Sequence, residues 1–221
     1  MKQTKLPMLT EKKEHGFSLI ELMISIAIVG IIMVTLATVF ERSSRLYTTQ
    51  NVSASLQEEV RAALEIMAGE MIMAGYDPKQ TNDFKLEKDD MSATHLRFTL
   101  DRNSDGTLDI NGFPECENVA FRFSLSQQAL SIICDENTGS ADVQWLIGGD
   151  YTDTKVTSFG IVYRNDKNQP VNPATVVDTG LIRNAIVTLT AQAPAGKAGM
   201  VERTYTSQVS FRNIGINYIN N

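Results

Sequence analysis

The sequence predicts an α+β fold in which one long N-terminal helix packs on a domain of antiparallel β-strands. The first observation is an apolar run from Phe17 to Phe40, which as a helix would reach roughly 36 Å, enough to cross a membrane. The second is a following segment with apolar residues at helical spacing. The third is a series of short stretches rich in β-branched and aromatic residues, which predict strands packed on the apolar face of the helix.

The segment before the apolar run is predicted to be a leader. Residues 1–16 contain four lysines and two glutamates, and an excess of lysine is typical of the cytoplasmic side of a membrane span. We therefore expect everything after the span to lie across the membrane. Without the leader the chain has 16 basic and 24 acidic residues. This negative charge repels phosphate backbones, so no nucleic acid is expected as the main partner.

The apolar run contains a single carboxylate, Glu21. A carboxylate at mid-membrane costs about 2.5–3.5 kcal/mol on insertion scales, so Glu21 needs a positive partner. Cleavage after Gly16 would create an ammonium group at Phe17, one helical turn from Glu21. We expect Glu21 to neutralise this amine, either in its own chain or in a laterally packed neighbour.

The Gly16–Phe17 junction, the segment Phe17-Ser-Leu-Ile-Glu21-Leu and the apolar helix after it resemble the N-terminus of type IV pilins and pseudopilins. The resemblance implies that a prepilin peptidase cleaves after Gly16 and methylates Phe17, and that Glu21 guides subunit docking. Other pilins would then be partners through the N-terminal helix. The chain would be a single-pass protein of the inner membrane with its C-terminal domain in the periplasm, later part of an extracellular pilus.

Two other interpretations of the apolar run explain less. A secretory signal has a shorter apolar region, with a small-x-small cleavage site on its far side. A plain membrane anchor needs neither Glu21 nor the Gly16–Phe17 junction. The pattern therefore favours the pilin-type interpretation, with a membrane-spanning half of the helix over residues 17–40.

The helix is predicted to continue as an amphipathic half over residues 41–76. Gly75 and Pro78 are typical of a helix end. Residues 61–76 and 205–213 are similar to the helix end and the closing strand of PilW-type minor pilins. The apolar face is formed by residues at steps of three and four: Val52, Leu56, Val60, Ala63, Leu64, Met67 and Met71.

Residues 77–221 are predicted to form one β-rich globular domain, periplasmic or extracellular, packed on the helix as in type IV pilins. The loops at residues 165–178 and 194–199 are expected to be exposed. We predict strands at residues 94–100, 118–125, 129–134, 143–147, 156–163, 181–191 and 202–211.

Cys116 and Cys134 both lie in the exported part of the chain. Because that compartment is oxidising, a disulfide bond between them is favoured over two buried, reduced thiols. A metal site at these cysteines is not expected, since His15 belongs to the leader and His95 stands alone in a predicted strand.

A second chemical feature is the acidic loop, defined as residues 101–109. Oxygen-bearing side chains at Asp101, Asn103, Asp105 and Asp109, with glycine at the sixth position and the Thr107 carbonyl at the seventh, resemble an EF-hand calcium loop. The twelfth position is glycine rather than glutamate, so the bidentate ligand would have to come from Glu115 or Glu117. The alternative, a polar turn between two strands, is slightly favoured. Calcium is thus a possible ligand, and no cofactor is required.

We find none of the nucleophile, phosphate-loop or histidine-ligand motifs that would indicate an enzyme. The sequence therefore predicts a structural subunit of a type IV pilus, closest to PilW-type minor pilins, which helps to prime assembly or forms the pilus tip. The alternatives are a GspJ-like pseudopilin of type II secretion and a membrane-tethered adhesion or binding module.

Overall fold

The computed structural model describes residues 16–150 and 152–215. The predicted leader, apart from Gly16, lies outside these residues. The chain divides into two compact units, the first ending at Arg45 and the second starting at Leu46. Each unit is described by itself below.

The first unit contains the beginning of helix α1, which runs from Leu19 to Met73. Every residue from 16 to 45 is exposed, including the apolar side chains of the predicted span. Within the described residues, α1 is the one helix that is long and apolar enough to cross a membrane, by length and composition.

The second unit contains the rest of α1, which buries one face and exposes the other. Six of the seven residues predicted for its apolar face are fully buried, and Val52 is partly buried against the core. Met73 is exposed, because it falls outside the stripe. The helix ends at Met73, three residues before the predicted boundary, and Gly75 follows it. Gly75 has φ 72°, and a Cβ there would lie 2.5 Å from Cδ1 of the buried Ile214.

In the described part of the chain, eight strands follow the helix and form two antiparallel sheets of four strands each. Sheet A has the order β1-β2-β3-β4, and sheet B has the order β6-β5-β7-β8. The strands are β1 His95–Thr99, β2 Asn118–Ser124, β3 Ala129–Cys134, β4 Asp142–Gly148, β5 Lys155–Asn165, β6 Pro170–Val171, β7 Ile182–Pro194 and β8 Met200–Ser210.

The two sheets and the C-terminal part of α1 enclose one hydrophobic core. Backbone hydrogen bonds join the sheets where the Val156 N–H donates to the Gln128 carbonyl and the Ile161 N–H to the Ala93 carbonyl, both at 2.8 Å. The predicted α+β class is confirmed. The structure differs from the prediction in having two sheets where one was expected. The reason is that β5 bonds to β7 and to β6 and does not continue the sheet from β4.

Candidate functional site

The first candidate site is the entry to α1. Ser18 precedes the first helical residue, and its N–H donates to Glu21 Oε2 at 2.9 Å. The Glu21 N–H donates weakly back to Ser18 Oγ at 3.4 Å. These reciprocal bonds form a capping box, which satisfies two N–H groups at the helix start. The carboxylate therefore has a local partner within the first turn.

Sequence reasoning missed this partner. It expected Glu21 to pair only with the amine created at Phe17, although the spacing Ser-x-x-Glu before an apolar run is itself the signal of a capping box. Phe17 is 87% exposed and precedes the helix. Cleavage after Gly16, methylation of Phe17 and the role of Glu21 in docking stay predictions.

The second candidate site is the acidic loop, which lies between β1 and β2. Asp101 is fully buried, and its two oxygens accept the N–H groups of Asp105 and Gly106, each at 3.0 Å. The side-chain nitrogen of Asn103 donates to Asp105 Oδ2 and to Asp109 Oδ2, also at 3.0 Å each. These hydrogen bonds link the four predicted side-chain ligands to one another within the loop.

Glu117 is not part of residues 101–109, but its side chain binds the backbone of the acidic loop. Its Oε1 accepts the Arg102 N–H at 2.9 Å and the Asn103 N–H at 3.3 Å, and its Oε2 accepts the Asp109 N–H at 2.9 Å. The residue is 1% exposed. Glu115 is exposed, so of the two acids considered from the sequence it is Glu117 that reaches the loop.

The loop holds its shape through its own hydrogen bonds. The hydroxyl and the N–H of Thr107 donate to Asp105 Oδ1 at 2.6 and 2.7 Å. These bonds stabilise the charged form and hold the pKa of Asp105 below its usual value. Lys79 Nζ donates to the Asp105 carbonyl at 2.6 Å. The arrangement is therefore that of a stable polar turn.

The acidic loop is tied to the end of α1. Arg102 forms an ion pair with Glu70 of the helix at 2.6 Å, and its Nε donates to the Cys116 carbonyl at 2.9 Å. The Asp101 N–H donates to the Tyr76 carbonyl at 2.8 Å. Any ligand that rigidifies the loop would therefore also stabilise the junction of helix and sheet.

The predicted disulfide bond between Cys116 and Cys134 is present, with 5.7 Å between the Cα atoms. Both sulfur atoms are buried, and they lie within 4.8 Å of a carboxylate oxygen of Asp135. Because the sulfur atoms are bonded to each other, they offer no thiolate to a metal. The bond fastens the end of the segment that carries Glu117 to the end of β3.

His95, which stands alone in the sequence, lies in a network of charged side chains. Its Nε2 lies 2.7 Å from Glu136 Oε2, and Arg122 pairs with the other oxygen of Glu136. Glu136 is buried. The three side chains connect β1, β2 and the turn after β3, so the histidine takes part in a network between strands.

Comparison with known proteins identifies the family. The model of the family "prepilin peptidase-dependent protein B" matches residues 49–211, which is most of the chain. The chain belongs to this family. The model of the prokaryotic N-terminal methylation motif matches residues 12–37, which include the Gly16–Phe17 junction and Glu21. The predicted resemblance to type IV pilin-like proteins is confirmed at this level.

Among solved structures, a type IV-like pilin from Thermus thermophilus is similar at 16% identity and a TM-score of 0.48. The match covers 72% of this chain and 98% of that one. No curated protein sequence matches the chain. The family membership therefore rests on the model that matches residues 49–211. The fold is described from the structure of the chain itself.

Proposed function

We propose that this prepilin peptidase-dependent protein is a structural subunit of a type IV pilus, a PilW-type minor pilin that primes assembly or lies at the pilus tip. The observation that carries the proposal is the 55-residue helix α1. Its first part exposes an apolar surface that water cannot accommodate, and its last part anchors a folded domain. A filament in which such helices pack side by side buries the first surface while displaying the domain.

The parts of the chain have separate roles in this proposal. Residues 1–16 are a cytoplasmic leader that prepilin peptidase removes, and residues 17–40 span the inner membrane. Residues 41–76 carry the amphipathic half of the helix, and residues 77–221 form the periplasmic domain that later becomes extracellular. Other pilins are the partners, through α1, and Glu21 pairs with the methylated Phe17 amine of its own or a neighbouring chain.

The same features suit a pseudopilin of type II secretion, and the capping box at Ser18 and Glu21 suits a membrane-tethered adhesion module that never polymerises. Filaments sheared from cells separate these functions. A pilus subunit is expected in the sheared fraction, and its amount should fall to background when the pilus assembly ATPase is deleted. A protein found only in the membrane fraction of piliated cells contradicts the proposal and favours the tethered module.

For the acidic loop we propose weak calcium binding by Asp101, Asn103, Asp105, Asp109 and the Thr107 carbonyl, with Glu117 as the closing acid. The proposal is supported by two buried carboxylates, Asp101 and Glu117, that have no basic side chain within 4.0 Å in the part of the chain described. Because Glu117 already accepts three N–H groups, we expect an affinity near roughly 10⁻⁴–10⁻³ M, as in extracellular modules.

A further inference from the structure

Strand β8 is the free edge of sheet B. The hydrogen bonds at its two ends show which of its residues bond to β7 and which direct their backbone groups outward. The Ala195 N–H donates to the Gly199 carbonyl at 2.7 Å beside the turn, and the Phe211 N–H donates to the Arg183 carbonyl at 2.8 Å at the far end. The register between β7 and β8 has no bulge. Since bonded and non-bonded pairs alternate in an antiparallel ladder, the odd-numbered residues of β8 bond to β7.

The even-numbered residues of β8 therefore direct their backbone groups outward. At Thr204, Thr206 and Gln208 this gives three N–H groups and three carbonyls, and no hydrogen bond reaches them within residues 16–150 and 152–215. Nearer the turn, the Glu202 carbonyl is covered by Nη1 of Arg203 at 3.0 Å. The open part of the edge is thus residues 204–208.

This open edge lacks the devices that usually protect one. Edge strands are protected by charges, proline, bulges or short length. Strand β8 has eleven residues, and residues 204–208 are Thr-Tyr-Thr-Ser-Gln, with no charge and no proline. The composition favours pairing with another strand rather than preventing it.

A groove with a volume of about 340 Å³ lies between the open edge and α1. Its apolar walls are Leu64, Ala68 and Tyr205, and its rim carries Arg61 and Glu65. That pair is bonded at 2.7 Å, so the rim presents little net charge. From Gln57 to Ala68 the helix side of the groove is roughly 16 Å long, which matches five residues of a strand at about 3.4 Å each.

We propose that β8 accepts an additional strand, an extended and uncharged segment of a neighbouring filament subunit, along residues 204–208. The open backbone groups require an extended partner, because a helix has no free N–H and carbonyl groups along its side. Alternate side chains of that segment enter the groove, and its neutral walls select against charged ones. The inference rests on the proposed function, which supplies the neighbouring subunit.

The neighbour does not present its own β8. Subunits of a filament whose helices all point the same way are related by a heterologous operation, so a surface meets a different surface. Pairing of β8 with β8 of a second copy would be isologous, and such a contact closes on itself instead of continuing along a filament. The added strand therefore comes from another part of the neighbouring subunit.

The test replaces one outward N–H. Thr206→Pro removes that donor and blocks the edge while leaving the backbone bonds of β8 to β7, since proline is tolerated where the N–H of an edge strand faces outward. The contact of the Thr206 hydroxyl with the Thr188 hydroxyl at 3.2 Å is lost in this variant and in its control alike. Thr206→Val keeps the N–H and is the matched control. With the full chain expressed in piliated cells, we expect about tenfold less of the proline variant in sheared filaments, and wild-type amounts of the valine variant.

A proline variant that folds like the wild type and enters filaments equally well would overturn the inference. If it does not fold, amide exchange of the wild-type chain decides. The N–H groups of Thr204, Thr206 and Gln208 should exchange fast in detergent micelles and slowly in filaments. Protection already in micelles would show that the chain itself or a second copy covers the edge, and fast exchange in filaments would show that nothing does. Absence of the wild type from filaments would overturn the proposed function as well.

Discussion

At the residue scale, Glu21 has an observed role in capping the helix and a proposed role as a charge in assembly. Its carboxylate caps the helix through Ser18, and in the proposed function its charge also pairs with the amine that cleavage creates at Phe17. Glutamine preserves a capping box but not the charge. We therefore predict that Glu21→Gln and Glu21→Ala are both inserted and processed, and that both are missing from sheared filaments, because both lack the charge.

Ser18→Ala is the control for this prediction, since it removes the capping hydroxyl and keeps the carboxylate. It should enter filaments. Immunoblots of the membrane and sheared fractions measure all three variants. Normal assembly of Glu21→Gln together with loss of Glu21→Ala would assign the effect to capping and reject the charge pair.

Tyr163 links the two sheets from within the core. It is buried, and its hydroxyl donates to the carbonyls of Ser92 at 3.0 Å and His95 at 3.3 Å. Burial raises the pKa of this phenol far above its ordinary value. The unfolded chain loses the same proton near pH 10. The folded state thus binds more protons above that pH, and stability that is fully present below about pH 10 is lost as the pH rises further.

We predict that Tyr163→Phe lowers the free energy of unfolding by about 1–3 kcal/mol at neutral pH, because the two carbonyls lose a donor. The difference from the wild type should shrink above about pH 10, where only the wild type carries the ionisation cost. Denaturant unfolding followed by the fluorescence of Trp145 measures it. Tyr47→Phe, on an exposed position of α1, is the control, and an unchanged difference at alkaline pH would contradict the account.

At the scale of elements, the disulfide bond stabilises the segment between β1 and β3. It closes a loop over a sequence separation of 18 residues, for which the chain-entropy model gives about 3 kcal/mol. We predict that replacing both cysteines by serine lowers the melting temperature of the full chain in detergent. Reductant should lower the wild-type melting temperature to a similar extent and leave the double variant unchanged. Free thiols at both positions after alkylation of the unreduced wild type would refute the bond.

The acidic loop gives a second prediction at this scale. At a few times the dissociation constant, calcium should stabilise the folded chain by about 1 kcal/mol, which corresponds to a rise of about 2–4 °C in melting temperature. The comparison is millimolar Ca²⁺ against EDTA. Asp105→Ala should abolish the rise, and Asp166→Ala, in the exposed turn after β5, should keep it. Identical melting with and without calcium would leave the loop as a turn only.

Local sequence patterns predicted the helix and the main strands well. They did not predict contacts between residues that are distant in sequence. The apolar face of α1 from Leu56 to Met71 could be predicted because its residues recur at steps of only three and four positions. The sequence did not predict that β5 pairs with β7 instead of extending sheet A. The alternation of apolar and polar residues identifies a strand but not the strand it pairs with. In the acidic loop the ligand spacing was visible. From the sequence, the acid that closes the loop could only be narrowed to Glu115 or Glu117. Contacts distant in sequence hold Glu117 at the loop: the disulfide bond, and Arg102, which pairs with Glu70 across 32 residues.

At the scale of the whole molecule, the chain combines two parts with opposite solvent requirements. Residues 16–45 expose their apolar side chains, while the second unit encloses a hydrophobic core that extends from Leu56 of α1 to Ile214. The family model covers the second part and the methylation motif covers the first. Under the proposed function such a chain needs a membrane before assembly and neighbouring helices after it, so one sample of filaments should show both its processing and its destination.

The central claim is most directly tested by the intact mass of the protein recovered from sheared filaments. The account predicts a chain of residues 17–221 carrying one additional methyl group at Phe17, with the disulfide bond formed. In a strain without prepilin peptidase, the protein should instead be found in the membrane with all 221 residues. An unprocessed mass in both strains, with no protein in the filament fraction, would contradict the account.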